Sequence, residues 1–400
     1  MPVEQRILTT HVGSLPRPAE LVEILRARHS NKPYEKAAFD AVVRKAVADA
    51  VAQQVAANID IVSDGEMSKM SYSYYVQDRL EGLAAAADVD TTDSQLRLFQ
   101  TLETVDRDFP DYAEFVARAG TGPGTAAPPV CVGPLVYRDL APVKAELACL
   151  KASATSAGAP SCFMTAASPG VIAMFASRSN HYATEDEYVF ALAEAMKAEY
   201  RAIYEAGVTL QVDCPDLALA PLMNYGMKDR APHRVIARNI EALNNGLEGI
   251  PGDAVRVHVC WGNHPGPHAH DLEVRELFPH FRSLKARAIS FEAANPRHEH
   301  EWEDWKDAGL PDDMVLIPGL IDSTTNFVEH PRLVAQRVLR FAEAVGRERV
   351  IAGVDCGFGT FAAQRPHVFP TVVWAKLKSL SEGARMASDK LRKIASKNHI

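Results

Sequence analysis

Short apolar runs alternate with longer stretches of helical spacing along most of the chain. Within the runs the apolar residues are continuous and rich in β-branched side chains, which predicts strands that are buried on both faces. Eight such strands are predicted, at Ile7–Leu15, Ile59–Gly65, Cys162–Ala167, Leu210–Asp213, Val255–Trp261, Ala288–Glu292, Met314–Ile321 and Val350–Val354.

Helical patterns follow most of the predicted strands. A long helix is predicted over about residues 34–57, and Asn58 after it tolerates the left-handed conformation in which helices often end. The clearest helix spans Glu329–Val345, with Pro331 in its first turn and Gly346 directly after it. Alternation of buried strands with helices predicts a parallel sheet, and eight units predict an α/β fold closed into a (β/α)8 TIM barrel.

One stretch breaks this rhythm. Residues 82–161 contain a charged segment, the glycine- and proline-rich Gly120–Pro134 and an alternating pattern over Val130–Tyr137. Alternation is typical of a strand with one exposed face, so the stretch is predicted to be an insertion after the second strand that carries a β-hairpin. The 400 residues then form one elaborated barrel domain, 1–400.

Composition argues against several classes of protein. The hydrophobic share of 47% is ordinary for a globular chain, and a net charge of −8 offers no basic surface for nucleic acid. No apolar run reaches the roughly 18 residues that a membrane-spanning helix needs, and the first residues lack the apolar segment of a signal peptide. A cytoplasmic protein is therefore expected, in which the six cysteines are free thiols or metal ligands.

Three of the predicted strands end in residues that bind metals. His258 and Cys260 are two positions apart in a strand, so their side chains point to the same face. Glu292 ends another strand, and Cys356 follows the last one. Because the functional groups of a β/α barrel lie where its strands end, His258, Cys260 and Cys356 are predicted to bind zinc together. The alternative is that they are unrelated buried side chains.

This donor set indicates a particular chemistry. Two thiolates and a carboxylate more than neutralise Zn²⁺, so such a site is a poor generator of hydroxide. A thiol that binds the metal loses its proton but stays nucleophilic, which predicts activation of a substrate thiol for attack on carbon, with Glu292 as the replaceable ligand. A structural zinc is the alternative, although structural sites usually draw on closely spaced cysteines.

Three further residues at predicted strand ends are candidates for substrate binding. Glu66 and Asp213 suit an ammonium group, since carboxylates are its natural partners, and Ser14 can donate to a substrate carboxylate. Each has an ordinary structural alternative: a helix N-cap or a satisfied acid for Glu66 and Asp213, and a turn for Ser14. No catalytic residue is predicted beyond the zinc site.

Five histidines form two further clusters and are assigned no ligand role. Their segments are rich in proline or in acidic residues, which predicts exposed loops. These residues are His264, His268, His270, His298 and His300.

Seven motifs in the same order resemble the cobalamin-independent methionine synthase family, specifically the short proteins that match its catalytic C-terminal half. The motifs are TTHVGSLPRP, DIVSDGE, QVDCPD, VHVCWGN, ISFEAAN, LIPGLIDST and GVDCGFGT. The resemblance implies a β/α barrel that holds zinc through His258, Cys260, Glu292 and Cys356. The residues that it implies for the amino-acid part of homocysteine are Ser14, Glu66 and Asp213. It thus implies methyl transfer to a thiol in methionine biosynthesis, as in a 5-methyltetrahydropteroyltriglutamate–homocysteine S-methyltransferase.

Two departures from the family leave the alkyl donor open. Members that use methyltetrahydrofolate carry an acidic residue where this chain has Cys214, and a histidine where this chain has Thr324. The CWGN and DCGFGT sequences are also similar to those of epoxyalkane:coenzyme M transferases, in which a zinc-bound thiol opens an epoxide. Thiol addition to an epoxide, or the reverse lyase reaction, is therefore the second hypothesis, although Glu66 and Asp213 favour an ammonium group over a sulfonate.

The expected partners are a small-molecule thiol and an alkyl donor, with no nucleic acid and no membrane, and a homo-oligomer is left open. Two other hypotheses use the same scaffold. One is a metal-free barrel resembling uroporphyrinogen decarboxylase, against which the cysteine pair argues. The other is a binding protein without catalysis, which is favoured if zinc binds but no thiol displaces a ligand.

Overall fold

The computed structural model describes residues 6–29, 32–84, 107–119, 129–176, 178, 181–220, 232–362 and 366–397. The strands in these ranges are β1 (Leu8–Thr9), β2 (Ile61–Val62), β3 (Leu80–Ala84), β4 (Val130–Tyr137), β5 (Ser161–Ala167), β6 (Thr209–Asp213), β7 (Val255–Val259), β8 (Ala288–Phe291), β9 (Val315–Pro318) and β10 (Ile351–Ala352). The α-helices are α1 (Ala19–His29), α2 (Lys36–Ala56), α3 (Pro110–Ala119), α4 (Ala141–Ala157), α5 (Pro169–Phe175), α6 (Glu185–Glu205), α7 (Pro215–Ala218), α8 (Pro232–Gly246), α9 (Val274–Phe281), α10 (Pro331–Val345) and α11 (Pro370–Lys397).

Eight of these strands close into a parallel barrel. β2, β5, β6, β7, β8 and β9 pair in that order, and β1 pairs with β10. Single backbone bridges join the two groups, from Thr10 to Ile61 at one seam and from Leu316 to Val350 at the other. The predicted α/β class and (β/α)8 barrel are therefore confirmed.

The two long helices end close to where the sequence indicates, and each begins two residues later than predicted. Asn58, two residues after the last residue of α2, has a φ of 59°, the left-handed conformation expected of a residue that follows a helix. In α10, Pro331 occupies the first turn, Val334, Val338 and Phe341 are buried, and the Phe341 ring contacts that of Phe291 in β8. Among the described residues, no helix combines the length and the apolar character needed to cross a membrane.

The first strand is shorter than predicted, and its loop carries part of the site. The apolar run Ile7–Leu15 pairs in the sheet only up to Thr10. Gly13 then has a φ of 147°, and a Cβ there would lie 2.7 Å from Thr165 Cγ2 and 2.8 Å from Glu66 Oε1. A glycine is needed here because a side chain would displace the Glu66 carboxylate.

An antiparallel pair of strands, β3 and β4, follows β2, and its second strand is the predicted alternating segment Val130–Tyr137. β3 and β4 are antiparallel, with Leu80 opposite Tyr137, and they stand outside the barrel. Buried Glu199 on α6 fastens them to it, because it accepts hydrogen bonds from Tyr75 and Tyr137, each of 2.6 Å. α4 then packs against α2 and leads into β5. Much of the glycine- and proline-rich part lies outside the described residues, and the limits 82–161 stay a prediction.

Candidate metal centre and substrate site

His258, Cys260 and Cys356 converge at the carboxyl end of the barrel. His258 lies in β7, Cys260 follows that strand directly, and Cys356 lies in the loop after β10. Their ligand atoms are all within 4.8 Å of one another, and the two sulfur atoms are 3.5 Å apart with both cysteines free. The side chains are buried, with 3%, 6% and 7% exposure. The closure of the barrel thus brings together cysteines that are 96 residues apart in the chain.

The ring nitrogens of His258 lack ordinary partners, whereas Cys260 Sγ accepts the N–H of Gly262 at 3.3 Å. Neither ring nitrogen of His258 makes a hydrogen bond, although both are buried. Burial, with a smaller effect of Arg256, lowers the pKa of His258 to about 3, so the ring is neutral and has a free lone pair. The contact with Cys356, together with burial, raises the pKa of Cys260 well above its usual value. Since unpaired buried polar groups are costly, this donor set fits a bound metal ion.

Glu292 lies beside the cluster but is engaged elsewhere. It follows the last residue of β8, and its Oε1 accepts the backbone N–H of Trp261 at 2.8 Å. Its Oε2 accepts Asn295 Nδ2 at 2.7 Å and Arg297 Nη2 at 2.6 Å. The group of donors that lie within 4.8 Å of one another is His258, Cys260 and Cys356. The structure therefore brings three of the four predicted ligands together and holds Glu292 next to them.

Asp355 is a residue of this site that the sequence analysis missed. Its Oδ1 accepts the backbone N–H groups of Ala293 and Ala294 at 2.9 and 2.8 Å, and its Oδ2 accepts two N–H groups of Asn295. Burial and the neighbouring Glu292 raise its pKa to about 7. Asp355 therefore joins the loop after β8 to the loop that carries the cysteine ligand. An acid directly before a cysteine at a strand end was the available signal.

The two candidate acids face the same space. Asp213 ends β6 and is the register partner of His258 in β7. Its Oδ1 accepts Gln211 Nε2 at 2.7 Å, whereas Glu66 Oε1 accepts Thr165 Oγ1 at 3.2 Å and Glu66 Oε2 has no hydrogen bond. Burial, followed by the charge of Glu66, raises the pKa of Asp213 to about 8, and burial raises that of Glu66. An ammonium group beside these acids would supply the donor that Glu66 Oε2 lacks.

Two buried cations near these acids were also missed. Lys69 Nζ donates to Thr165 O at 2.6 Å and Thr165 Oγ1 at 3.1 Å, and Arg17 Nη2 lies 3.9 Å from Glu66 Oε2. Both cations lower the pKa of Glu66 against the larger effect of burial. They explain how the protein tolerates two acids in one buried region.

Ser14 contacts the loop of the cysteine ligand. Its carbonyl oxygen accepts the N–H of Phe358 at 2.9 Å, and its Oγ accepts the N–H of Gly359 at 3.3 Å. A Cβ at Gly357 would lie only 2.0 Å from Ser14 Oγ, so the glycine-rich loop is what allows this approach. The serine hydroxyl thus lies beside the loop after β10, at the carboxyl end of the barrel, which we call its mouth, and it accepts a backbone N–H there. Its role in substrate binding stays a prediction.

The loop after β9 is tied to its neighbours by Asn263. Asn263 Nδ2 donates to Gly357 O at 2.6 Å and Thr360 Oγ1 at 2.9 Å, and its Oδ1 accepts Ser323 Oγ at 2.8 Å. Asp322 accepts two hydrogen bonds from Thr324, at 2.9 and 2.8 Å. The hydrogen bond from the Thr325 hydroxyl, followed by the two from Thr324, outweighs burial and lowers the pKa of Asp322. Thr324, which stands at the position of the family histidine, therefore acts within its own loop.

Aromatic side chains pack together close to the candidate metal ligands. The Tyr72 ring lies 6.0 Å from that of Phe175 and 6.2 Å from that of Phe361, and Tyr74 contacts the same two rings. Burial, then the charges of Cys260 and Cys356, raise the pKa of Tyr72 well above its usual value. The neighbouring Tyr75 binds Glu199 instead.

The prediction that all five additional histidines lie in exposed loops is wrong for His298. This side chain is buried, packs against Trp261 with ring centroids 4.3 Å apart, and binds Glu301 at 2.8 Å. The prediction is wrong for His268 as well, because its side chain is 3% exposed and binds Asp271 at 3.1 Å. The remaining three are exposed as predicted: His264, His270 and His300. Composition does not predict this burial, because the acidic neighbours bind the histidine side chains, whereas acidic segments are usually exposed to solvent.

The fold and the site together define the class of this protein. It is a closed (β/α)8 barrel with a candidate metal centre of histidine and cysteine donors at its carboxyl face. Residues 7–99 match the profile of a family described as the cobalamin-independent synthase catalytic domain. The resemblance to the cobalamin-independent methionine synthase family is therefore confirmed.

Individual relatives agree with this comparison. Methionine synthase from Saccharolobus solfataricus is 24% identical over 393 residues, which cover 96% of each chain. The 2-hydroxypropyl-CoM lyase from Xanthobacter autotrophicus is 25% identical over 244 residues, covering 54% of this chain and 59% of the lyase. The solved structure of a B12-independent methionine synthase from Shewanella sp. W3-18-1, in complex with selenomethionine, superposes with a TM-score of 0.71 at 19% identity. That superposition covers 97% of this chain and 99% of the other, and it supports the barrel fold.

Proposed function

We propose that this protein transfers a methyl group to the sulfur of a thiol such as homocysteine, at a zinc ion held by His258, Cys260 and Cys356. The observation that carries the proposal is the buried His258, which has no hydrogen-bond partner and lies beside two free cysteines whose sulfur atoms are 3.5 Å apart. Imidazole nitrogen and cysteine sulfur are the donors that zinc prefers in proteins. Glu292 is the proposed replaceable fourth ligand.

Bound zinc would lower the pKa of a thiol that joins this donor set, so that the nucleophilic thiolate forms near neutral pH. The remaining residues bind and orient the acceptor. Glu66 and Asp213 hold its ammonium group, and Ser14 donates to its carboxylate. The acceptor sulfur then forms a bond to the methyl carbon while the bond from that carbon to the donor breaks.

The geometry also bears on the alternative roles. If the metal ion were only structural, no carboxylate with a free acceptor oxygen would be needed nearby. Glu66 Oε2 is such an oxygen, because it is buried and makes no hydrogen bond. A metal-free barrel would leave His258 without a partner. Both observations favour a centre that receives a metal ion and a charged small molecule.

Thiol addition to an epoxide, or its reversal, is the second candidate function. The partial similarity to 2-hydroxypropyl-CoM lyase supports it, and so does Thr324, which replaces a family histidine implicated in proton transfer during methyl transfer. In that reaction the acceptor sulfur bonds to an epoxide carbon, the ring C–O bond breaks and the oxygen takes up a proton. Glu66 and Asp213 argue that the thiol still carries an ammonium group.

Product analysis of the zinc-loaded protein separates the two functions. Homocysteine would be incubated with methyltetrahydrofolate, with a methylsulfonium donor and with epoxypropane in turn, and the thioethers identified by mass spectrometry. Methionine formation that Cys356→Ser abolishes supports the first function, whereas a hydroxypropyl thioether supports the second. Zinc-loaded protein that forms neither product would contradict both. The cytoplasmic location stays a prediction.

A further inference from the structure

Arg297 joins the candidate ligand Glu292 to a second acid. Its Nη2 lies 2.6 Å from Glu292 Oε2, and its Nη1 lies 3.1 Å from Asp271 Oδ2. The side chain of Arg297 is 17% exposed and that of Glu292 is 2% exposed, so water screens this ion pair little. Glu292 is therefore a carboxylate whose charge the protein has already neutralised.

The hydrogen bonds of Glu292 leave it little capacity for a metal. A carboxylate offers about four acceptor positions. Oε2 uses two of them, for Asn295 and Arg297, and Oε1 uses one for the N–H of Trp261. The charged bond to Arg297 is the shortest of the three and draws electron density from the oxygen that it contacts.

The surrounding loops fix Arg297 in this position. Arg297 also contacts His268 and donates to Asn295 Oδ1 at 3.2 Å, and Asp271, its other ion-pair partner, accepts His268 at 3.1 Å and His298 at 3.3 Å. These bonds outweigh the effect of burial and hold the pKa of Asp271 well below its usual range, so it stays charged beside the guanidinium. His298 in turn binds Glu301 at 2.8 Å. His268 and His298 therefore anchor the arginine through Asp271.

We propose that Arg297 is a positioning residue that weakens Glu292 as a metal ligand, so that a substrate thiol takes its place readily. The inference rests on the zinc site of the proposed function. A carboxylate bound to a guanidinium donates less to a cation, and the positive charge of Arg297 itself opposes metal binding and favours an incoming thiolate. Loss of Arg297 should therefore strengthen zinc binding and weaken thiol binding.

The test compares Arg297→Gln and Arg297→Lys with the native protein. Zinc affinity would be measured by competition with a chelator, and the homocysteine needed to add a sulfur ligand by X-ray absorption at the zinc edge. We expect Arg297→Gln to bind zinc about tenfold more tightly and to need about tenfold more homocysteine. Arg297→Lys, which keeps the charge, should lie between this variant and the native protein.

Two further variants make the result specific. In the Glu292→Gln background, Arg297→Gln should change zinc affinity much less, because the carboxylate that it releases is absent. Arg349→Gln is the matched control: Arg349 is also half-buried and binds Met314 O at 2.9 Å and Pro311 O at 3.0 Å, before β10 and away from the cluster. It should leave both measurements unchanged.

Weaker zinc binding by Arg297→Gln would overturn the inference, since Arg297 would then orient Glu292 as a ligand. Unchanged zinc and thiol binding would overturn it as well. If Arg297→Gln does not fold, the zinc and thiol affinities of Arg297→Lys decide, measured with Glu292 present and in the Glu292→Gln background. A native protein that binds no zinc contradicts the proposed function itself, whereas a zinc-binding native protein with an unresponsive Arg297 contradicts this inference alone.

Discussion

Two buried histidines, His11 and His258, show how the interior of the barrel differs from its mouth. Burial lowers the pKa of each to about 3, so both rings are neutral. His11 Nε2 bonds to Gln54 Oε1 at 2.7 Å, and its Nδ1 accepts the N–H of Gly13 at 3.2 Å. His258 has neither kind of partner. Equal burial with unequal pairing separates a histidine that builds the fold from one that is available to a ligand.

The same contrast holds for the charged residues. Arg256, inside the barrel, donates to Gln211 Oε1 at 2.8 Å, Thr10 Oγ1 at 2.9 Å and His11 O at 2.8 Å. Glu66 at the mouth leaves one oxygen without a hydrogen bond. Elsewhere in the described residues, the buried side-chain atoms without a hydrogen bond are single nitrogens of arginines whose other nitrogens are bonded: Arg79, Arg178 and Arg392. Unsatisfied acceptors thus concentrate where the proposed ligands would bind.

Removal of one sulfur should produce the largest effect. Cys260→Ser and Cys356→Ser should each lower zinc affinity at least about 100-fold, because the alcohol is a far weaker zinc ligand than a thiolate. Metal content after dialysis and chelator competition measure this. Cys162→Ser, at a half-buried cysteine of β5, is the control and should retain zinc. Full zinc retention by both site variants would contradict the assigned ligands.

Replacement of His11 and replacement of His258 by alanine should have different effects on the stability of the fold. Without zinc, His11→Ala should cost about 2 kcal/mol more free energy of unfolding than His258→Ala, because the N–H of Gly13 loses its acceptor and Gln54 Oε1 loses one of its partners. Urea denaturation of both variants measures the difference. Chelator competition should show the reverse order, with zinc affinity lost only in His258→Ala. If the two variants lost equal free energy of unfolding and equal zinc affinity, the distinction between the interior of the barrel and its mouth would be contradicted.

A smaller effect is expected from the acids. Asp213→Asn should weaken methionine binding about tenfold, because a charged partner of its ammonium is lost, while zinc affinity changes less than about twofold. Calorimetry with methionine and the chelator assay check the two parts. Asp216→Asn is the control, since Asp216 is also buried but binds Ser168 and Asn239. Equal weakening by both variants would show that general destabilisation is responsible.

The smallest effect is a pH dependence of methionine binding. The pKa of Asp213, raised to about 8, means that this carboxyl group is protonated in the free protein at pH 7 and must lose the proton to pair with an ammonium. Binding should therefore strengthen several-fold as pH rises from 6 to 8, and Asp213→Asn should flatten the curve. Methionine has no thiol, so the titration of an acceptor sulfur does not contribute to this curve. A native curve that is flat would place the ammonium elsewhere.

The sequence predicted the parts of the site that follow from strand geometry. Alternation along a strand placed His258 and Cys260 on one face, and the count of eight strands brought Cys356 to the same end. The strand predicted at Ile7–Leu15 is too long because its pairing with the neighbouring strand ends at a single backbone bridge, at Thr10.

The rest depends on loop conformations that no periodic pattern encodes. Arg297 reaches Glu292 because the loop after β8 turns back, and that turn is held by Asp355 from a distant part of the chain. The acidic residues near His298 in the sequence predicted an exposed side chain. In the structure one of them, Glu301, is its buried hydrogen-bond partner. Side-chain pairing across loops therefore required the structure.

X-ray absorption at the zinc edge of the purified protein, with and without homocysteine, tests the central claim most directly. We expect one zinc per chain, bound by two sulfur atoms, and a third sulfur when homocysteine is added. This result would show that the unpaired groups at the barrel mouth receive a metal ion and a thiol. Protein without zinc, or zinc that gains no sulfur from homocysteine, would contradict that account.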